Sequence, residues 1–318
     1  MKTLPFNRIQ ADPEWVIVDW TMTNVCNYAC EYCPSITHDG SFGWPTLDSI
    51  DYTTRKLQAH YGNNRRLEYI LLGGELAIWK KLPDAIDIIK TNSPDCHIKF
   101  ITNGIMPEDY WRRIGSKITS VVFSYHPTQV KSIEKFVESI NALDNDYKTI
   151  LILAWPDTWD KVVHAREYIL ENVHDFISLE LKIVDNRYQT VADSKVQYTP
   201  EQLDYIKANV RVSKTKKKSM FKPSYTYLDD QKVESVTSQI ILDEQNKFKG
   251  WSCGIGVDKI TLDADGSIRR GSGCMIGNDE NFGNWKNSDI KYLPSNGITC
   301  PYETCWCFPD LMATKIKY

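Results

Sequence analysis

From about residue 15 to 210, short apolar runs alternate with amphipathic stretches, and this alternation constrains the fold more than any other feature. Six runs read as strands: Trp15–Trp20, Leu67–Leu72, His97–Thr102, Ser120–Ser124, Thr149–Ala154 and Phe176–Val184. Each is rich in Val, Ile, Leu or Phe, and each has strand length. Between them, Leu47–Tyr61, Pro83–Thr91, Pro107–Ile114, Val130–Leu143 and Trp159–Asn172 carry apolar residues at helical spacing. Repeated strand–helix units pack as a parallel sheet with helices outside it. Six such units make about three quarters of an eightfold (β/α) barrel. An open doubly wound sheet is the competing architecture. Pro200–Val210 reads as a further helix, and Tyr225–Leu228 with Val233–Leu242 as a hairpin. The expected fold class is α/β, a partial (β/α)6 TIM-like barrel over residues 1–210. A connecting hairpin region over 211–249 and a small cysteine-rich domain over 250–318 complete the expected organisation.

Composition excludes several classes. Hydrophobic residues are 42% and charged residues 25%, a folded globular balance that excludes disorder and collagen-like structure. No apolar run approaches the ~18 residues of a membrane span, and Met1–Gln10 has no signal-peptide core. A cytoplasmic location without membrane contact is the expectation. The net charge of −3 excludes bulk attraction to polyanions, so a nucleic-acid partner is not expected. Ser213–Ser219 (SKTKKKS) is a short basic run that reads as a solvated loop, or as a contact for an anionic substrate.

The nine cysteines form two groups and one isolate. Cys26, Cys30 and Cys33 follow the first strand with Cys-x3-Cys-x2-Cys spacing. Cys253, Cys274, Cys300, Cys305 and Cys307 lie in the tail. Cys96 stands alone at the start of a strand and reads as a core residue. In a reducing compartment such groups read as metal or iron–sulfur ligands rather than disulfides. Three thiolates on one loop can grip three irons of a [4Fe–4S] cube and leave the fourth iron open to a small molecule. The alternative is a three-thiolate zinc site completed by His38 or Asp39.

The spacing, with Tyr32 just before the third cysteine, resembles the radical S-adenosylmethionine (SAM) superfamily. Three further motifs are similar to that family's: Gly73-Gly74-Glu75, Thr102-Asn103-Gly104 and Ser124-Tyr125-His126. Leu76 departs from the family's usual Pro. Independently of the family, every one of these motifs closes an expected strand, and that rim carries the active site in (β/α) barrels. Trp155-Pro156-Asp157 and Asp185-Asn186-Arg187 close the next two strands and read as pocket residues or loop caps. The resemblance implies that Cys26, Cys30 and Cys33 hold a catalytic [4Fe–4S] cluster. It implies that Gly73, Gly74 and Glu75 hold the SAM ammonium, with Tyr32, Thr102, Asn103, Ser124 and His126 around the cofactor. The implied activity is reductive cleavage of SAM to a 5′-deoxyadenosyl radical that takes hydrogen from substrate, with ferredoxin or flavodoxin as electron donor.

In the tail, Val257–Ile268 reads as two strands joined at Asp265-Gly266, so that Cys253 and Cys274 flank a hairpin. With Cys300-x4-Cys305-x1-Cys307 and Ile276-Gly277-Asn278, this resembles the SPASM or shorter Twitch domains of radical SAM enzymes. Cys274 stands eight residues past Gly266, where the usual spacing is five. Five cysteines suffice for one auxiliary [4Fe–4S] cluster and not for two. A structural zinc knuckle is the alternative.

The resemblance leaves the substrate between a peptide, to be oxidised, crosslinked or epimerised, and a small alcohol or sugar. The first strand begins near residue 15, so no leader-peptide module is expected ahead of it. The expectation is a small substrate, or a peptide delivered by a separate protein. The contrasting class is a non-catalytic zinc or iron–sulfur protein that binds RNA through Lys214–Lys218.

Overall fold

The structure, a computed structural model, describes residues 7–145, 147–184, 197–215, 225–228, 231–234, 240–241, 243–274, 280–305, 307 and 309–318. The expected motif residues Asp185–Arg187 and Ile276–Asn278 lie outside the described residues, as do most of the basic run and part of the second hairpin strand.

After a short strand β1 (Arg8–Gln10), six strands run parallel and adjacent in chain order. They are β2 (Trp15–Thr21), β3 (Arg66–Leu72), β4 (His97–Thr102), β5 (Ser120–Tyr125), β6 (Lys148–Ala154) and β7 (Ser178–Ile183). Between them lie α1 (Leu47–Tyr61), α2 (Leu82–Asn92), α3 (Glu108–Ile114), α4 (Ile133–Ala142) and α5 (Trp159–Asn172). A doubly wound sheet reverses its strand order at a switch point. This order never reverses, so the right-handed crossovers put every helix on one face. The sheet is the wall of a partial barrel. Next, α6 (Pro200–Ala208) leads into β8 (Arg211–Val212), which closes the far edge antiparallel to β7.

The strands show why one face is a core and the other a lumen. Along β6, buried Ile150, Ile152 and Ala154 alternate with half-buried Thr149, Leu151 and Leu153. Successive side chains point to opposite faces, so the first set packs under helices and the second lines the lumen. The register sets Thr21 beside Leu72, Thr102 beside Phe123 and Leu153 beside Lys182. The C-terminal ends therefore form one rim, from which the motif loops emerge.

The tail does more than follow the barrel. After β9 (Tyr225–Leu228), β10 (Gln231–Glu234) and β11 (Ser252–Cys253) comes β12 (Lys259–Leu262), which pairs parallel with β2 and adds a seventh parallel strand. β13 (Ile268–Arg269) turns back along it, with Gly266 in the hairpin at φ +90°. The Asp-Gly hairpin thus stands where the sequence expects it, but on the edge of the barrel. A two-stranded ribbon, β14 (Gly283–Asn284) with β15 (Asp289–Ile290), follows. Beside it, fully buried Trp285 meets Trp20 of β2 edge-to-face at 5.2 Å. The strands β16 (Ile298–Thr299) and β17 (Lys315–Ile316) enter a second, antiparallel sheet of order β10-β9-β1-β17-β11-β16. Chain start and chain end share that sheet, through pairing of Arg8 with Ile316.

Candidate active site

The rim of the barrel surrounds a cavity of about 830 Å³. Cys26, Cys30 and Cys33 line it, together with Tyr32, Gly73, Gly74, Glu75, Thr102, Asn103, Ser124 and His126. These residues therefore meet in one place, while Gly104 and Tyr125 of the same motifs do not line the cavity. Among the described residues, no three His, Cys, Asp or Glu side chains converge on a point that would hold a single ion. The three thiols line the same cavity, with Cys30 hydrogen-bonded to Cys33.

The cysteine loop is shaped by its own polar side chains. Asn24 donates to the Ile36 carbonyl at 2.9 Å and to Asp39, and accepts from the Phe42 amide at 2.9 Å. Asp39 also accepts from the Ser41 amide. Its carboxylate is thus occupied in folding the loop. Asn24 has no obvious sequence signal, because an Asn before an apolar residue is common.

The Gly-Gly-Glu turn is stitched to that loop. Gly74 donates to the Thr23 carbonyl at 3.0 Å, and Glu75 to the Val25 carbonyl at 2.8 Å. A Cβ on Gly73, at φ +152°, would stand 2.5 Å from the Thr23 oxygen, and one on Gly74 2.1 Å from the Val25 oxygen. Only residues without a side chain allow this approach.

Glu75 is 1% exposed. Its carboxylate accepts from the Ala77 amide at 2.9 Å, the Thr102 hydroxyl at 2.9 Å and the Asn103 amide at 2.6 Å. Burial pushes its pKa up to about 7 against these three hydrogen bonds. Asn103 in turn donates to Asn27, between the first two cysteines, at 2.9 Å. The carboxylate thus ties the β3 turn to the end of β4, and Asn103 carries the link on to the cysteine loop.

His126 closes the opposite side. Its Nδ1 stands 2.8 Å from the Tyr32 hydroxyl and 3.4 Å from Cys30 Sγ. The Tyr32 and His126 rings stack at 5.9 Å. Burial lowers the His126 pKa to about 4, so the imidazole is neutral near pH 7. Cys33 is held below the ordinary thiol range, chiefly by a hydrogen bond from Cys30, whose own pKa is raised. Trp155 is buried against Tyr32 at 5.1 Å and acts as packing behind the loop.

Four charged residues that the sequence reading did not assign to the site also line the cavity: Lys182, Asp263, Asp265 and Arg269. Lys182 lies on the lumen face of β7, and its ammonium is felt at both Cys33 and Cys307. Alternating Glu180 and Lys182 in an otherwise apolar strand was the available signal. Arg269 pairs with Asp263 across the tail hairpin. The hairpin tip therefore forms part of the wall.

The tail cysteines take two positions. Cys253, Cys300 and Cys305 belong to a second apolar core beneath the antiparallel sheet. Asn246 fixes Cys305 by donating to its carbonyl and accepting from its amide, both at 2.8 Å. Cys274 follows Gly273, whose Cβ position would be 2.6 Å from Cys307 Cβ. Cys96 is buried in the main core, as expected.

Residues 20–169 match the family model of the radical SAM superfamily. They form a radical SAM domain. No curated protein matches the chain. Among solved structures, native anSMEcpe with bound AdoMet is 14% identical, with TM-score 0.56 over 86% of this chain and 78% of that one. The same protein with AdoMet and the Kp18Cys peptide is 15% identical, with TM-score 0.54 over the same shares. Streptococcus suis SuiB bound to precursor peptide SuiA is 12% identical, with TM-score 0.52 over 87% of this chain and 62% of SuiB. At such identities the likeness is one of fold. Its extent exceeds the radical SAM domain, so the shared fold includes residues beyond it.

The donor set fits an iron–sulfur cluster with SAM. Three soft thiol ligands face a cavity wide enough for both, and a glycine cradle borders it beside a buried carboxylate.

Proposed function

We propose that the chain is an enzyme that cleaves SAM reductively and removes hydrogen from a peptide. The observation that carries this reading is the single cavity bordered by the three cysteines, the Gly-Gly-Glu turn, the Thr-Asn-Gly turn and His126. When bound, the cluster and SAM supply a 5′-deoxyadenosyl radical for hydrogen abstraction.

Cys26, Cys30 and Cys33 would hold the cluster through their three thiolates, beside the SAM amino acid group. The backbone of Gly73 and Gly74 permits close approach, and Glu75 in its ionised form accepts the SAM ammonium. Asn103, Ser124 and His126 border the rest of the cofactor, with Thr102 holding Glu75 and Tyr32 holding His126. Tail cysteines would hold one auxiliary [4Fe–4S] cluster, which would supply an electron acceptor or a substrate-positioning group there. A peptide is favoured over a small alcohol because two similar folds are described with peptides bound. Oxidation, crosslinking and epimerisation are the outcomes this chemistry allows. The expected electron donor is a ferredoxin or flavodoxin in the cytoplasm. Among the described residues, no helix is long and apolar enough to cross a membrane.

The test is formation of 5′-deoxyadenosine by anaerobically reconstituted protein given SAM and dithionite. Product above the no-protein control supports the reading. An iron-loaded protein that binds SAM yet yields none, even with a peptide library added, refutes it. A protein that takes up only zinc points to the non-catalytic class.

A further inference from the structure

We infer that Lys259 and Asp310 are positioning residues that preset the Cys274 and Cys307 segments of the tail before any metal arrives. The inference rests on the proposed role of the tail cysteines as ligands.

Lys259 is 0% exposed. It sits on β12, in register beside the barrel's Ile17, and its ammonium lies between two buried carboxylates. Asp19 Oδ2 is 3.0 Å away and Asp310 Oδ1 is 2.9 Å away. The ammonium also donates to the Ser272 hydroxyl, which itself donates to Asp19. A buried ammonium is costly unless charge and hydrogen bonds both satisfy it. Here both do, so the arrangement is specific.

Asp310 passes that order to the cysteines. Its two carboxylate oxygens accept from the backbone amides of Ser272 and Gly273, each at 2.9 Å. Those are the two residues directly before Cys274. Its own amide donates to the Cys307 carbonyl at 3.1 Å, and its carbonyl accepts from buried Lys315 at 2.6 Å. Gly273 packs against the Cys307 side chain. Asp310 therefore meets both segments, Ser272–Gly273 through its carboxylate and Cys307 through its backbone amide, and Lys259 with Asp19 fixes it to the barrel strand that leads to Cys26. None of these contacts needs a metal.

The first experiment uses the unaltered chain, stripped of metal, and reads amide hydrogen exchange. Slow exchange at Ser272 and Gly273 in the metal-free protein is the expected result. Rapid exchange there, with the barrel strands still protected, would overturn the inference, because the segment would then be shaped by metal alone. The second uses Asp310→Asn. The amide side chain faces three donors with one oxygen. Asp310→Asn is expected to fall from about eight irons per chain to about four. Full iron in folded Asp310→Asn would also overturn the inference. If the unaltered tail takes up zinc, or Cys253, Cys274, Cys300, Cys305 and Cys307 can be replaced together without loss of metal, the cluster reading fails instead. The exchange result still decides whether Lys259 and Asp310 preset the two segments.

Discussion

The two cysteine groups are built in contrasting ways. Cys26, Cys30 and Cys33 share one short loop, and their surroundings come from the rim of a parallel sheet. Loop and rim are joined by backbone bonds from Gly74 and Glu75 to Thr23 and Val25. The tail cysteines come from three separated segments and depend on distant partners, such as Asn246 for Cys305 and Asp310 for the two residues before Cys274. A local site needs a scaffold that holds one loop still. A dispersed site needs its segments docked first, and the chain docks them on the barrel's first strand through β12, Trp285 and Lys259. On the proposed assignment, the difference means that metal content of the tail would read tertiary packing, whereas metal content of the loop would read mainly its own three thiols.

The sharpest way to break this contrast is to remove one group and count metal at the other. Replacing Cys26, Cys30 and Cys33 by Ala is expected to abolish 5′-deoxyadenosine formation and to leave about half the iron. Loss of all iron would mean that the two groups do not assemble independently. A second change acts on docking alone. Trp285→Ala empties a buried site against Trp20 and is expected to cost about 3–5 kcal/mol. Denaturation monitored by Trp fluorescence would measure it, and iron should fall at the tail before the loop. An equal fall at both would erase the distinction.

Legibility in the sequence follows the same division. The six parallel strands and the helices Leu47–Tyr61 and Trp159–Asn172 were readable because period and length agree there. The rim motifs were readable because each lies at the end of such a strand. The pairing of Lys259–Leu262 with β2 was not, since a four-residue strand carries no mark of a partner more than two hundred residues away. Lys259 itself reads as a surface residue, and only Asp19 and Asp310, far off in sequence, make its burial possible. Glu75 was legible as a motif residue, but its bonds to Ala77, Thr102 and Asn103 needed the register of β3 beside β4. Local order is written locally; docking is written in pairs of residues that only the fold brings together.

A smaller effect tests the glycine cradle. Gly74→Ala puts a methyl group 2.1 Å from the Val25 oxygen, so the loop must shift. The expected cost is about 1–3 kcal/mol in stability, with SAM affinity falling while iron at the tail stays constant. Unchanged SAM affinity by calorimetry would show that the cradle is not needed for the cofactor.

The smallest effect concerns the proton on Glu75. Its carboxyl titrates near 7 in the folded chain and near 4.5 when exposed, because burial opposes the charge. A raised acid pKa means that the folded state holds the proton longer. The resulting stability is complete below pH 4.5 and is lost as pH rises through 7. Metal-free protein should therefore lose stability from pH 5 to 8 more steeply than Glu75→Gln does. Binding of SAM reverses the preference, since its ammonium favours the ionised carboxylate. Affinity should tighten by up to about tenfold per pH unit below 7 and level off above it, and Glu75→Gln should lack that slope. Parallel slopes in the two proteins would remove Glu75 from the cofactor's ammonium and leave it as a tie between strands β3 and β4.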